Sequence, residues 1–403
     1  MPILPHRAVR RVLGKYASFD AGRGCPFQCS FCTIINVQGR KSRYRTADDV
    51  EVIFRAHAKQ KVTRFFVTDD NFARNRNWEA ILDRLIHLRE QEGFKIRLLL
   101  QVDVLCHKIP NFIEKCARAG VLFVFIGLEN INPQSLIGTK KRQNKIWEYR
   151  EMLQAWKRAG VITYCGYILG FPTDTPESIA RDIEIIKKEL PLDLLQFYFL
   201  TPLPGSEDHK ILHERGVPME ADMNKYDLEH ACTAHPNMSA EVWADVYKGA
   251  WGRYYTDEHV KTVLRRAFAS GIAMNKISGV LTWISGANPI EGIHPLQYGF
   301  FRRKVRSQRR SGMPIESPLA FYPRRLMEVA RSTTQWLVRF QKYRAFRKEI
   351  AADPAGKAYR DQALAPPPLD AGEDHLVQAF AGQLPNMHGA PKVHAKAGER
   401  VAG

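Results

Sequence analysis

Short apolar runs and amphipathic stretches alternate along the chain between residues 16 and 205. The runs 16–20, 64–68, 96–102, 121–128, 162–169 and 194–200 carry the β-branched and aromatic residues of strands. Between them, 46–60, 78–92, 109–119, 145–159 and 176–189 have helical periodicity. In the second of these Ile81, Leu82, Leu85 and Leu88 share one face; Gly120 and Gly160 stop two others, and Pro176 opens the last. Strand–helix steps of this size predict parallel strands joined by helical crossovers. Periodicity alone does not separate a flat doubly wound sheet from a curled one. The polar residues decide for the barrel, because they gather at the C-terminal ends of the first four strands, where barrel sites are built. The predicted fold is α/β: a six-stranded partial (β/α)6 TIM-like barrel over 16–206 with a helical C-terminal extension.

Beyond Pro202 the alternation ends. Residues 207–268 read as a helical cap, and 269–350 as a basic, aromatic-rich extension ending in a helix over 323–350. Residues 351–403 are rich in Ala, Pro and Gly, including Pro366-Pro367-Pro368, and are expected to be disordered for want of apolar anchors. Residues 1–15 form a lead-in. It is basic but has no apolar core, so it is not a secretory signal.

The 403 residues are 45% hydrophobic and 25% charged, the balance of a soluble globular protein. The longest apolar run, 277–287, is much shorter than the ~20 residues of a membrane span. Seven cysteines, three of them clustered, argue for a reducing compartment and a cytoplasmic location. The net charge of +18 is uneven: 261–350 holds 18 Lys and Arg against four Glu, an excess of 14. This excess lies behind the region that carries the clustered cysteines.

Those cysteines, Cys25, Cys29 and Cys32, stand in Gly24-Cys25-Pro26-Phe27-Gln28-Cys29-Ser30-Phe31-Cys32. A C-x3-C-x2-C loop gathers three thiolates and supplies no fourth ligand. Structural zinc closes with four protein ligands, and ordinary iron–sulfur clusters use four thiolates. Three thiolates on a four-iron cluster leave one iron open to substrate; a zinc knuckle is the bland alternative. The loop resembles the cluster-binding loop of radical S-adenosylmethionine (SAM) enzymes. That resemblance implies a [4Fe-4S] cluster whose open iron holds SAM and delivers one electron, yielding a 5′-deoxyadenosyl radical that takes hydrogen from a substrate. It also implies a six-stranded partial barrel, with reduced flavodoxin or ferredoxin as electron donor.

Later motifs extend the resemblance to about residue 206. Phe31 is the aromatic before the last cysteine. Asp69-Asp70-Asn71, followed by Phe72, stands where the family binds the SAM ammonium and looks like the cobalamin-linked branch; the structural alternative is a loop whose Asp residues cap the next helix. Gln101 and Asp103 follow the third strand. Glu129, in Gly127-Leu128-Glu129, is similar to the family's Gly-x-Glu, and a carboxylate there needs a partner such as a ribose diol. Gly166, Ile168 and Gly170 resemble the Gly-x-Ile-x-Gly stretch lying against adenine, with sheet curvature as the alternative. Arg45 is a candidate for the SAM carboxylate. His213-Glu214-Arg215-Gly216 has half of a cobalamin motif, but Ile211 stands where Asp is required. His230, Cys232 and His235 lack a fourth ligand, and Cys106, Cys116 and Cys165 are scattered.

Typical members of that branch carry an N-terminal cobalamin-binding domain, whereas about fifteen residues precede the first strand here. Cobalamin would then come from a separate subunit or a segment outside this sequence, or the enzyme works without it. The leading expectation is a radical SAM enzyme that methylates, cyclises or rearranges a small or lipid-like metabolite, its basic extension resting on an anionic membrane. The first alternative makes the substrate tRNA or another RNA, with the basic segment on phosphates. The second is a non-catalytic iron–sulfur electron-transfer protein.

Overall fold

The computed structural model describes residue 3 and residues 16–297, 304–309, 312–368 and 370–383. Six parallel strands form one sheet: β1 Tyr16–Phe19, β2 Arg64–Val67, β3 Arg97–Val102, β4 Val121–Glu129, β5 Ile162–Leu169 and β6 Leu194–Phe199. Their order in the sheet is their order in the chain. A doubly wound sheet would reverse direction at a switch point; sequential order puts every right-handed crossover on the same face and curls the sheet. The partial barrel is therefore the observed architecture.

The crossover helices are α1 Ala47–Lys59, α2 Trp78–Glu90, α3 Phe112–Ala119, α4 Tyr149–Arg158 and α5 Pro176–Glu189. Thr46 and Thr175 start α1 and α5 with capping boxes, and Gly120 ends α3 at a φ of +98°. α4 is shorter than its periodicity suggests: Lys145 is extended and Ile146–Glu148 forms a 3-10 turn. The outer face of the sheet packs under the helices. Phe19, Phe54 and Phe65 meet edge-on or tilted at centroid distances of 4.3–6.2 Å, and Phe112 joins Trp78 and Trp156 at 5.1 and 6.2 Å. Each such side chain stabilises the fold by roughly 1.5–3 kcal/mol on burial.

Inner-face residues run in rows set by the register: Phe66–Leu99–Phe123, then Gln101–Phe125–Tyr164–Leu194, then Gly127–Gly166–Gln196, then Ile168–Tyr198. Beyond the barrel lie α6 Ala240–Tyr254, α7 Asp257–Ala269, α8 Met274–Glu291 and α9 Pro318–Ala352. α6 covers β6, with Trp251 on Phe197 at 5.4 Å and Tyr247 stacked on Phe199 at 4.5 Å. The basic helix expected over 323–350 begins earlier, because Ser317 caps it and Pro318 occupies its first turn. Tyr298, Phe300, Phe301, Arg302 and Arg303 of the aromatic stretch lie outside the described residues.

The tail departs from expectation. Rather than being disordered, the described residues 353–368 and 370–383 dock across α4, α5 and α7. Leu376, Val377 and Phe380 are buried. Arg150 bonds both Glu189 (2.7 Å) and Asp374 (3.3 Å), and Gln154 donates to the carbonyls of Ala363 and Ala365. Arg266 holds Asp361 at 2.7 Å while donating to the last carbonyls of α5. Three apolar anchors and two buried arginines are enough to order a segment whose composition looks disordered. Residues 384–403 lie outside the described ones.

Candidate functional site

The cysteine loop crosses the C-terminal ends of the strands, and two carboxylates from the end of β2 grip its start. Asp69 accepts from the amides of Ala21 (2.6 Å) and Gly22 (2.8 Å) with one oxygen, and from Asn75 (2.9 Å) with the other. Burial pushes its pKa up to about 6. Asp70 accepts from the amide of Gly24 at 2.7 Å. Of the expected trio Asp69-Asp70-Asn71, the two carboxylates bond the protein's own backbone, and neither caps α2. Arg45 donates to the carbonyl (2.6 Å) and carboxylate (3.0 Å) of Asp20. The hydrogen bonds from Arg45 and Arg23 hold Asp20 below the usual carboxylate range despite the opposing desolvation.

Asn71 and Asp103 form a second unit. Asn71 donates to Asp103 at 2.9 Å, and its amide also points at the sulfur of Cys25 at 4.0 Å. Arg74 clamps both oxygens of Asp103 at 2.7 and 2.8 Å, and the amide of Leu105 takes up more of the acceptor capacity. Asp103 is thus a structural anion that sets Asn71 beside the first cysteine. Gln101 donates to the carbonyl of Asp69 at 3.3 Å from the inner row it shares with Phe125.

Cys29 is buried, while Cys25 and Cys32 are half-buried. Burial raises the pKa of Cys25 and pushes that of Cys32 up to about 11, and the charges of neighbouring thiolates add to both shifts. Gln143 directs its amide at the sulfur of Cys29 at 3.4 Å. Lys141 reaches Glu129 at 2.6 Å and sits 5.8 Å above the ring of Phe31. Burial works against its charge, but Glu129 and the thiolates of Cys29 and Cys32 outweigh this and hold its pKa above the ordinary lysine value. Among the described residues no three Cys, His, Asp or Glu converge on a point that would hold a single ion. Separate thiols around one open loop, with an ammonium and two amides turned towards them, fit a multi-iron cluster with one thiolate per iron.

Glu129 owes its position to backbone. It sits at a φ of +62°, which a non-glycine residue rarely adopts, after a register shift in the β4–β5 pairing. Its carboxylate folds back over Gly127, where a Cβ would stand 2.5 Å from Oε1 of Glu129 and 3.1 Å from Nζ of Lys141. The Gly-x-Glu spacing therefore makes room for an ion pair. Asn144 and Tyr149 secure the strand end, donating to the carbonyls of Gly127, Leu128 and Asn130.

The other two glycines, Gly166 and Gly170, both lie against aromatic rings. The rings of Phe125 and Tyr198 close over Gly166, each 3.1 Å from where a Cβ would be. Gly170, with a φ of +97°, abuts Trp243 of α6. Ile168 lies on the inner face beside Tyr198. The Tyr198 hydroxyl donates to Gln196 at 2.8 Å, and that of Tyr164 lies next to it. Sequence reasoning missed Lys141, Gln143, Arg74, Tyr164 and Tyr198. Only the tyrosines left a signal, as polar groups at inner positions of apolar strands. The trio proposed as a metal decoy is engaged elsewhere: His230 with Asp227, Cys232 with the carbonyl of Lys225, and His235 with that of Phe171.

Residues 21–186 match the family model of the Radical SAM superfamily. The hopanoid C-2 methylase of Rhodopseudomonas palustris is 32% identical over 195 residues, covering 46% of this chain and 36% of that protein. The bacteriochlorophyllide d C-8(2)-methyltransferase of Chlorobaculum tepidum is 27% identical over 222 residues, covering 52% and 47%. The chain thus spans less than half the length of either relative. A solved radical SAM methyltransferase from Kitasatospora setae with cobalamin and a [4Fe-4S] cluster bound aligns with a TM-score of 0.49 and 16% identity, covering 85% of this chain and 62% of that one.

Proposed function

Since residues 21–186 are a radical SAM domain, we propose that the chain is an enzyme that cleaves SAM reductively and modifies a small, lipid-like metabolite. The observation that carries this reading is the convergence, over one end of the barrel, of three loop cysteines with Asn71, Gln143 and the Lys141–Glu129 pair. Cys25, Cys29 and Cys32 would hold a four-iron cluster, which with SAM would supply one-electron cleavage chemistry for hydrogen abstraction. The chain's own part is to hold that chemistry in place. The amides of Gln143 and Asn71 offer hydrogen bonds to sulfur, and Lys141 sets a fixed positive charge beside the loop. Glu129, held against Lys141 at the end of β4, presents a carboxylate for a polar group of SAM.

The inner rows support a substrate class. Nearer the cysteine end, Phe125 and Ile168 give an apolar lining, and Tyr164, Gln196 and Tyr198 form its polar group. A flat or polycyclic apolar body with few polar substituents suits such a lining. Both curated relatives are named as methylating enzymes, and their substrates, hopanoids and bacteriochlorophyllides, are of that kind. Methyl transfer is the favoured outcome, with cobalamin supplied by another chain or by a segment outside this sequence. Reduced flavodoxin or ferredoxin fits as electron source, and the cytoplasm beside a membrane fits as location.

The test is anaerobic. The chain is reconstituted with iron and sulfide, SAM and dithionite are added, and 5′-deoxyadenosine is quantified by mass spectrometry with and without cobalamin. Release that disappears in Cys29→Ala is expected. A verified four-iron cluster that releases none under either condition would overturn the assignment.

A further inference from the structure

The longest helix presents an apolar face that the fold does not use. α9 has its inner side firmly docked: Phe321, Tyr343 and Ile350 are buried. Trp336 stacks on Trp283 at 5.8 Å over Gly286, whose missing Cβ admits the ring. Arg339 donates to Ser285 of α8 at 3.0 Å. Helix rotation is thereby fixed. On the free side Leu319, Tyr322, Leu326, Val329, Leu337 and Phe340 recur at helical spacing and make one stripe. All six are exposed, Leu319 at 88% and Leu326 at 71%. The stripe is about 32 Å long at 1.5 Å per residue. An exposed apolar surface of this extent marks an interaction site.

The charge around it selects the partner. Residues 302–348 hold 14 Lys and Arg against two Glu, a net +12. Arg331, Arg344 and Lys348 are exposed and make no ion pair among the described residues. Arg344 and Lys348 continue the stripe at its C-terminal end. A second copy of the chain would bring two such clusters together and be repelled. A nucleic acid would use the charge but leave the leucines in water. An anionic lipid surface takes up both, the apolar side chains entering the acyl boundary and the cations meeting headgroups. No described helix is long and apolar enough to cross a membrane, so the geometry is that of a helix lying in the interface.

We infer that α9 is a docking helix which holds the enzyme on an anionic membrane through the Leu319–Phe340 stripe. The inference deepens the reading of an apolar substrate by naming the surface from which such a substrate would be drawn, but its test is independent of the chemistry. The full chain is sedimented with vesicles of phosphatidylcholine, with and without phosphatidylglycerol, in the absence of SAM and reductant. Retention on the anionic vesicles is expected, weakened by salt. Leu326→Glu combined with Leu337→Glu should lower the partition coefficient about tenfold or more. Its thermal melting should not move, because both positions are exposed. Equal partition of the two proteins, or no retention, would overturn the inference. So would a dimer that the double substitution dissociates without any vesicle binding. Deoxyadenosine release is measured separately, so either idea can fail alone.

Discussion

Lys141→Met removes an ammonium and keeps most of the volume around it. In the native protein the Lys141 and Glu129 side chains are 11% and 14% exposed and 2.6 Å apart. Truncating one partner of so buried a pair leaves the other charge without compensation and costs about 3 kcal/mol, the lower end of the usual range. An unfolding entropy of roughly 2.1 cal/mol/K per residue over 403 residues is about 0.85 kcal/mol/K. The melting temperature should therefore fall by about 3–4 °C. Adding Glu129→Gln removes the stranded carboxylate, and the double variant should recover most of the loss. The assay is thermal melting of the metal-free protein under reducing conditions for the wild type, both single variants and the double variant. The pH dependence has a definite sign. A lysine whose folded pKa is raised contributes stability that is complete below its unfolded pKa of about 10.4 and is lost as pH rises through the folded value. The native advantage over the double variant should thus persist across neutral pH and fade only in alkali. A double variant no more stable than Lys141→Met, or a single variant that melts with the wild type, would show that the pair is not what holds Glu129.

Gly170→Ala forces a Cβ to within 2.0 Å of the Trp243 ring at a φ of +97°. It should cost about 2–4 kcal/mol, read as a lower urea midpoint. Asp174 accepts from the amides of Gly170 and Phe171 and is pushed up to about 7 by burial, well above the ordinary carboxylate range. The folded state keeps a proton that the unfolded chain releases, so stability falls as pH rises from about 4 to 7. Asp174→Asn should flatten that slope in melts recorded across the interval. Phe380→Ala should cost about 3 kcal/mol or more and open the segment 353–383 to limited proteolysis while the barrel stays intact. Cleavage no faster than in the wild type would mean that the tail is held without its aromatic anchor.

The barrel was legible because its signals are local: β-branched runs, capping threonines and stop glycines each act within a few residues. The cysteine loop was legible for the same reason. The roles of the acids were not, since the donors that claim Asp69 lie 47 and 48 residues away at Gly22 and Ala21. Asp103 is claimed by Arg74 and Asn71 in the same way, across 29 and 32 residues. Nothing in the run around Lys141 shows that it will fold back under Glu129, because that depends on a left-handed residue and a missing Cβ two positions earlier. A glycine motif does not say which ring it admits; Gly170 meets that of Trp243, seventy-three residues on. The tail was misjudged by averaging. Its composition is that of a linker, yet Leu376, Val377 and Phe380 carry its burial.

Asp69, Asp70 and Arg45 have a bearing on how the protein is matured. They fasten the cysteine loop to the barrel through Ala21, Gly22, Gly24 and Asp20, while the amides of Cys25 and Ser30 bond the carbonyls of Gly39 and Thr139. These bonds tie the loop to the barrel at five points of backbone, an anchorage that small metal domains folding only around their ion do not have. Oxygen damage to the cargo should then leave a folded receptacle that repair or assembly proteins can refill, rather than a chain destined for degradation.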